Sequence, residues 1–233
     1  MVTEKAFHKN TQKHKTIKVV VIGIIGLVAL IAGIFIIRGA GGQAKEVTTE
    51  YINDRGGVYV DMNGAAVKEP SGEPVIEIWS DYTCPGCQAL DQLFGDTFKD
   101  HQGSQLSVHP VSILGTTSGM NGAVGLLYIA ENSPEDFWVF NQAMFVAGKA
   151  NPNMDPVAVT KVAENVGVDG DALDQMTASI NSDDWRGLVP VDTFYELGYT
   201  GTPSLVVDGV LRKDWFDNPT TIIPAMLAGL QTQ

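Results

Sequence analysis

The chain has 233 residues, 44% of them hydrophobic, and a formal net charge of −12. This length and apolar content suit one well-packed globular domain with additional segments. Because residues 1–38 hold six basic side chains and one acidic one, residues 39–233 carry −17. Such an acidic surface disfavours nucleic acid and anionic lipid as binding partners.

The first predicted element is a transmembrane helix over residues 19–37, an uninterrupted apolar run of about the 20 residues that cross a bilayer. Lysines dominate residues 1–18, which predicts a cytoplasmic basic tail and an extracytoplasmic location for the rest of the chain. A cleaved signal peptide is the alternative, with Gly42-Gln43-Ala44 as a small-residue cleavage site. Against it, the run exceeds the length of a signal core, and Arg38 separates the run from that site.

Residues 38–73 are predicted to form a tether and a lead-in segment. Residues 39–45 are mostly small and suit a flexible linker. Glycines then punctuate short apolar pieces such as Val58-Tyr59-Val60, which indicates an edge strand or irregular structure.

A strand, a helix and a second strand are predicted next. Residues 74–80 are β-branched and aromatic, as expected of a buried strand. An amphipathic helix is predicted over about residues 84–100, with Pro85 at its first position. Residues 105–113 form the second predicted strand, so the three elements make a βαβ unit with a right-handed crossover.

A helical insertion is predicted over about residues 118–198. Ser133-Pro134-Glu135-Asp136 is typical of a capping box that begins one of its helices. Asp155-Pro156 indicates the start of another helix, and residues 169–179 predict a third.

The chain then returns to the sheet. Residues 204–212 are apolar around Asp208-Gly209, the pair expected in a tight hairpin. A closing amphipathic helix is predicted over residues 219–230. The globular domain is therefore predicted to span residues 74–233.

Cys84 and Cys87 are the only cysteines, and Pro85 and Gly86 separate them. At the start of a helix, unpaired backbone N–H groups and the helix dipole stabilise a thiolate. Cys84 is therefore predicted to be the nucleophile, and Cys87, one turn inside and shielded, the resolving thiol. This chemistry needs no bound cofactor and no metal.

Three other interpretations of the two cysteines remain open. A purely structural disulfide is disfavoured because so small a ring constrains the unfolded chain little. A zinc site needs four ligands, and only His101 and His109 lie beyond the apolar run to complete one. The third interpretation is a domain that keeps the motif without the activity.

A second motif, Gly201-Thr202-Pro203, precedes the hairpin. Together with the Cys-Pro-Gly-Cys helix and the order of the elements, it resembles the thioredoxin-fold thiol-disulfide oxidoreductases of the DsbA type over about residues 74–230. The resemblance implies an α/β thioredoxin-like fold with a helical insertion, preceded here by the transmembrane helix. It also implies that Pro203 is a cis-proline beside the disulfide and that the Thr202 backbone contacts an extended substrate peptide.

The chain departs from that family at two positions. Many members have a buried acid six residues before the first cysteine, where this chain has Ile78; Glu77 is predicted to lie on the opposite face, exposed or at an edge. Strongly oxidising members have histidine where this chain has Gly86, so we predict a less oxidising disulfide.

The resemblance implies a bacterial extracytoplasmic enzyme that donates its Cys84–Cys87 disulfide to exported cysteine-containing proteins. The reaction would pass through a mixed disulfide at Cys84, and a membrane redox partner would reoxidise the pair. A reductase or isomerase that a membrane donor keeps reduced is the main alternative, because motif and fold do not set the direction of exchange. A non-catalytic peptide-binding module is the second alternative.

Overall fold

The computed structural model describes residue 47 and residues 49–61, 63–70, 75–97 and 105–216. The predicted transmembrane helix at 19–37 and closing helix at 219–230 lie outside the described residues. Among those residues, no helix has the length and apolar character needed to span a membrane.

The described residues contain six strands and seven α-helices. The strands are β1 (Val58–Val60), β2 (Ala66–Val67), β3 (Val75–Ser80), β4 (Gln105–Pro110), β5 (Ser204–Val207) and β6 (Val210–Arg212). The helices are α1 (Pro85–Thr97), α2 (Thr117–Asn132), α3 (Phe137–Ala150), α4 (Pro156–Asn165), α5 (Gly170–Ile180), α6 (Asp183–Arg186) and α7 (Val191–Glu196).

The strands form one mixed sheet in the order β2-β1-β4-β3-β5-β6. Strands β3 and β4 are parallel, with Ile78 opposite Val108, and α1 connects them, so the predicted βαβ unit is confirmed. Strands β5 and β6 form the predicted hairpin, in which Asp208 and Gly209 both adopt positive φ values of 50° and 73°. That conformation suits a two-residue turn between antiparallel strands.

Strand β1 is an interior strand, so the prediction of an edge strand or irregular structure at Val58–Val60 is wrong. It pairs antiparallel with β2 on one side and with β4 on the other. The sheet thus begins within the segment 38–73 that was interpreted as tether and lead-in. A run of three residues between turns is too short to show the period of a strand, and only its partners stabilise it.

Strand β4 is three residues shorter than predicted. Val111 still donates its backbone N–H to Ser80 across the sheet at 2.9 Å, but the N–H groups of Ile113 and Leu114 bind the side chain of Asp81. The chain therefore leaves the sheet after Pro110, because a buried carboxylate and not a strand accepts its next hydrogen bonds.

The helical insertion extends from α2 to α7, close to its predicted bounds. Asp155 caps α4 as predicted, since its side chain accepts from the N–H of Ala158 at 2.8 Å. The predicted capping box at Ser133 is wrong: the Ser133 hydroxyl binds the Asp136 carboxylate at 2.6 Å, and Pro134–Asp136 form a 3-10 turn.

The two faces of the sheet pack against different partners. Ile76 and Ile78 of β3 lie on the face that packs against α1 and the helical insertion, in the main core. Trp79 lies on the opposite face, where Phe194 of α7 and Tyr199 pack around it in a smaller cluster. Since successive side chains of a strand point to opposite faces, β3 separates the environments of Ile78 and Trp79.

Candidate active site

Cys84 lies at the turn between β3 and α1, immediately before the first helical residue, Pro85. Its backbone N–H donates to the backbone carbonyl of Asp81 at 3.0 Å, and its own carbonyl accepts from the backbone N–H of Gln88 at 3.1 Å. Cys84 is 7% exposed and Cys87 is 1% exposed, and both are free thiols. The predicted positions of the two cysteines, one at the helix start and one shielded inside it, are confirmed.

The two thiols differ in acidity because of their surroundings. A hydrogen bond from the Cys87 thiol, followed by Thr202 and by the backbone N–H groups of Cys87 and Gly86, lowers the pKa of Cys84 to about 6, against the opposing effect of burial. Burial, followed by the adjacent Cys84, raises the pKa of Cys87 far above its ordinary value. At pH 7 Cys84 is therefore mainly thiolate, while Cys87 is a thiol.

Thr202 and Pro203 lie directly against Cys84. The Thr202–Pro203 peptide bond is cis, as the resemblance implies. When Cys84 is protonated, its thiol donates to the Thr202 carbonyl, which lies 3.1 Å from Sγ. A Cβ atom added to the exposed Gly86 would lie 3.1 Å from Pro203 Cδ and 3.8 Å from Cys84 Sγ, so the proline ring lies next to the middle of the motif.

The Thr202 hydroxyl is buried and has no hydrogen-bond partner among the residues that the structure describes. It lowers the pKa of both cysteines. Because the Thr202 hydroxyl has no fixed partner among these residues in the dithiol form, it is free to donate a hydrogen bond to the Cys84 thiolate once Cys84 ionises.

We expect Thr202→Val, which keeps the shape of the side chain and removes the hydroxyl, to raise the pKa of Cys84 by about half a unit to one unit. The ultraviolet absorbance of the thiolate as a function of pH measures it. Thr193→Val, in the helix that covers the other face of the sheet, serves as the control. An unchanged titration in Thr202→Val would show that the hydroxyl does not bind the thiolate.

Asp81 holds the turn that carries the motif, a role that the sequence prediction missed. It is fully buried. Its Oδ1 accepts from the Thr83 N–H at 2.9 Å and the Thr83 hydroxyl at 2.8 Å, and its Oδ2 accepts from Ile113 at 3.0 Å and Leu114 at 3.1 Å. The only signal in the sequence is an Asp two residues before a Thr, the pattern of a local turn.

Tyr82 anchors the same turn to α3. Its hydroxyl donates to Asn141 Oδ1 at 2.9 Å, and its ring packs on Phe145 with centroids 4.8 Å apart. A Cβ atom at Gly148 would lie 2.7 Å from the Tyr82 carbonyl oxygen, so only glycine lets the helix approach this closely. Helix α3 of the insertion therefore packs against the turn that carries the motif.

Glu77 is buried in the interior strand β3, so the prediction that it lies exposed or at an edge is wrong. Its carboxylate pairs with Arg55 at 2.5 Å, accepts from Trp79 Nε1 at 3.2 Å and lies 3.7 Å from His109 Nε2. These partners lie on the sheet face opposite the cysteines, as predicted for Glu77 itself. The pair with Arg55 compensates for the water that the Glu77 side chain loses on burial.

His109 belongs to this second face. Its ring stacks on Trp79 with centroids 4.0 Å apart and hydrogen-bonds Ser107 at 3.0 Å through Nε2. Burial, followed by the charge of Arg55, lowers the pKa of His109 to about 3, so the ring is neutral. A zinc site shared with the cysteines would need this histidine, which the sheet separates from them.

Glu77→Ala is expected to lower the free energy of unfolding by about 2–3 kcal/mol, because it leaves Arg55 and the Trp79 indole without their shared acceptor. Urea denaturation measures this loss. Glu164→Ala breaks the exposed Lys161–Glu164 pair and should cost less than about 0.5 kcal/mol. Equal costs for the two variants would contradict a stabilising role for the buried pair.

Comparison with known proteins adds evidence on the fold. No protein-family model and no curated protein sequence matches the chain. The solved structure of MdbA from Actinomyces oris, a thiol-disulfide oxidoreductase, is 18% identical and superposes with a TM-score of 0.62 over 81% of this chain and 96% of that one. The chain has the thioredoxin-like fold of the DsbA type.

Two further structures of this fold superpose equally well. Reduced DsbA from Mycobacterium tuberculosis is 20% identical, with a TM-score of 0.59 over 76% of this chain and 93% of that one. Oxidised BdbD from Bacillus subtilis is 14% identical, with a TM-score of 0.60 over 81% of this chain and 98% of that one. The predicted thioredoxin-like fold with a helical insertion is thereby confirmed for the described residues.

Proposed function

We propose that the protein is an extracytoplasmic thiol-disulfide oxidoreductase that donates a Cys84–Cys87 disulfide to exported proteins. The observation that carries this proposal is the difference between the two thiols: Cys84 has its pKa lowered to about 6 beside Thr202 and Pro203, and Cys87 is buried with its pKa raised. A stabilised Cys84 thiolate is a good leaving group, which makes the disulfide form the stronger oxidant.

The proposed reaction has two exchange steps. A substrate thiolate attacks Cys84 Sγ, the Cys84–Cys87 bond breaks, and its electron pair stays on Cys87. A second substrate thiolate then attacks the substrate sulfur of the mixed disulfide, and Cys84 leaves as thiolate. The substrate loses two electrons and gains a disulfide, and the protein becomes the dithiol.

Thr202 and Pro203 are proposed to bind the substrate. The backbone before the cis-proline lies within 3.1 Å of Cys84 Sγ, so a peptide that pairs with this backbone would place its own cysteine at the reactive sulfur. Pro85 and Gly86 are exposed beside it and support the motif. Main-chain pairing accepts many sequences, which suits exported proteins as a class.

The proposed location is the outer side of a cytoplasmic membrane. Residues 19–37 would anchor the domain, with residues 1–18 in the cytoplasm, and a membrane redox partner would reoxidise the cysteines after each cycle. The chain has no second cysteine pair that might do so internally.

Oxidation of a reduced, unfolded secreted protein by the purified disulfide form tests the function. We expect stoichiometric transfer of disulfides, with Cys84→Ser inactive. A peptide-binding module would bind the unfolded protein without transferring a disulfide to it, and that result would overturn the proposal.

Trapping of the cysteine state in intact cells tests the direction of exchange. A donor of disulfides is expected to be mostly oxidised in the presence of its redox partner. A pool that is mostly dithiol would instead indicate the reductase or isomerase.

A further inference from the structure

A small cavity lies beside Cys87 in the core between the sheet and the helices. It has a volume of about 20 Å³, and both Cys87 and Asp91 line it. These residues are four apart on α1, so they are neighbours on one side of the helix. A single water molecule needs roughly 10–15 Å³, so this cavity has room for one.

The rest of the lining is mainly apolar. Strands β3 and β4 contribute Ile78, Ser80 and Val108, helix α1 contributes Leu90 and Phe94, and helix α3 contributes Trp138, Asn141 and Phe145. Ile78 is the position at which many DsbA-type proteins have a buried acid. In this chain Ile78 of β3 brings no acid to the cavity wall, and Asp91 of helix α1 does.

The groups around Asp91 leave its proton exchangeable near neutral pH. Asn141 Nδ2 donates to Asp91 Oδ1 at 3.4 Å, and the Tyr82 hydroxyl donates to Asn141 in turn. Burial raises the pKa of Asp91 to about 7 and, as the largest cause, raises that of Tyr82 well above its usual value. Among the described residues no cation pairs with Asp91, and the other titratable group on the cavity wall is Cys87.

We propose that Asp91 carries the proton of Cys87 during disulfide exchange, through a water molecule in this cavity. The proposal rests on the oxidoreductase function and assigns a proton-transfer residue to it. Cys87 needs such a partner because it is 1% exposed and reaches bulk water poorly.

The proton balance differs between the two directions. When a substrate thiolate attacks Cys84, the Cys84–Cys87 bond breaks and protonated Asp91 gives its proton to the Cys87 thiolate through the water. When the dithiol is reoxidised, Cys84 thiolate first attacks the disulfide of the oxidant, whose S–S bond breaks, so that a mixed disulfide forms and one oxidant sulfur leaves as thiolate. The Asp91 carboxylate then takes the Cys87 proton, Cys87 attacks Cys84 Sγ, and the oxidant leaves as its thiolate.

Oxidised glutathione separates these steps. The reduced protein releases one glutathione when Cys84 attacks and a second when Cys87 resolves the mixed disulfide, while Cys87→Ala performs only the first step. We expect Asp91→Asn to slow the second step about 10- to 100-fold at pH 7 and to leave the first within about twofold. The second-step rate of the unmodified protein should show an inflection near pH 7 that the variant lacks.

Two control variants accompany this test. Asp91→Glu should restore an inflection at a shifted pH, and Asp171→Asn, an exposed acid of α5, should leave both steps unchanged. The Asp91→Asn variant should also fold well. A carboxyl group whose pKa is raised in the folded protein lowers the stability of the fold increasingly from about pH 4 to about pH 7, and the substitution removes this effect.

The outcomes distinguish the relay from the function on which it rests. An unchanged second step and an unchanged inflection in Asp91→Asn would overturn the relay and leave the oxidoreductase intact. An unmodified protein that never releases the second glutathione would overturn the oxidoreductase function itself.

Discussion

Cys87→Ala is expected to accumulate disulfide-linked complexes with exported proteins through Cys84. The physical reason is that the Cys84 thiolate, with a pKa of about 6, reacts readily, while the residue that would release the bound partner has been removed. Most of the variant should migrate as thiol-sensitive adducts on non-reducing gels of cell envelopes, and mass spectrometry of the adducts would name the substrates.

The matched variant for this experiment is the double substitution Cys84→Ser with Cys87→Ala, which removes the attacking sulfur from the same background. It should form no adducts, and Cys84→Ser alone should oxidise substrates no faster than the uncatalysed reaction. Adducts that persist without Cys84 would exclude exchange at this sulfur, because the chain has no third cysteine.

Asp81→Ala is expected to have the largest effect on stability, a loss of about 3–5 kcal/mol in the free energy of unfolding. The change leaves the N–H groups of Thr83, Ile113 and Leu114 without their acceptor inside the protein, and each such group costs about 1–3 kcal/mol. Because these bonds hold the turn before Cys84, the pKa of Cys84 should also move toward its ordinary value. Chemical denaturation and thiolate titration measure the two effects.

Asp155→Ala is the control of the same residue type. Asp155 caps α4 with one hydrogen bond to Ala158 at an exposed site, so its removal should cost about 1 kcal/mol and leave the pKa of Cys84 unchanged. The loss of stability in Asp81→Asn should lie between those of Asp81→Ala and Asp155→Ala, since asparagine keeps one acceptor oxygen. A cost for Asp81→Ala no greater than that for Asp155→Ala would contradict its role in the turn.

Local patterns in the chain were sufficient to predict the elements around the cysteines. Strand β3, the start of α1 at Pro85, the hairpin at Asp208-Gly209 and the cap at Asp155 all depend on residues close in sequence, so propensity and turn chemistry identify them. The adjacency of Pro203 to Cys84 follows from no local pattern; the resemblance to a known fold supplied it.

Long-range contacts account for the predictions that failed. Strand β1 is stable only because β4 and β2 flank it. Glu77 was predicted to be exposed or at an edge because it lies on the strand face opposite Ile78. Its burial is possible because Arg55, which is distant in sequence, pairs with it. Sequence spacing carries no information about such partners, since they come from separate elements.

The sequence by itself determined the redox pair, its position at a helix start and the order of elements that implies the fold, because each depends on neighbouring residues or on a known motif order. The tertiary structure alone decided which groups set the acidity of the two predicted thiols and which acid lies near Cys87. The cavity that Cys87 and Asp91 line forms only when β3, α1 and α3 pack together. Burial within that packing, and not the identity of the residues, brings the pKa of Asp91 to about 7.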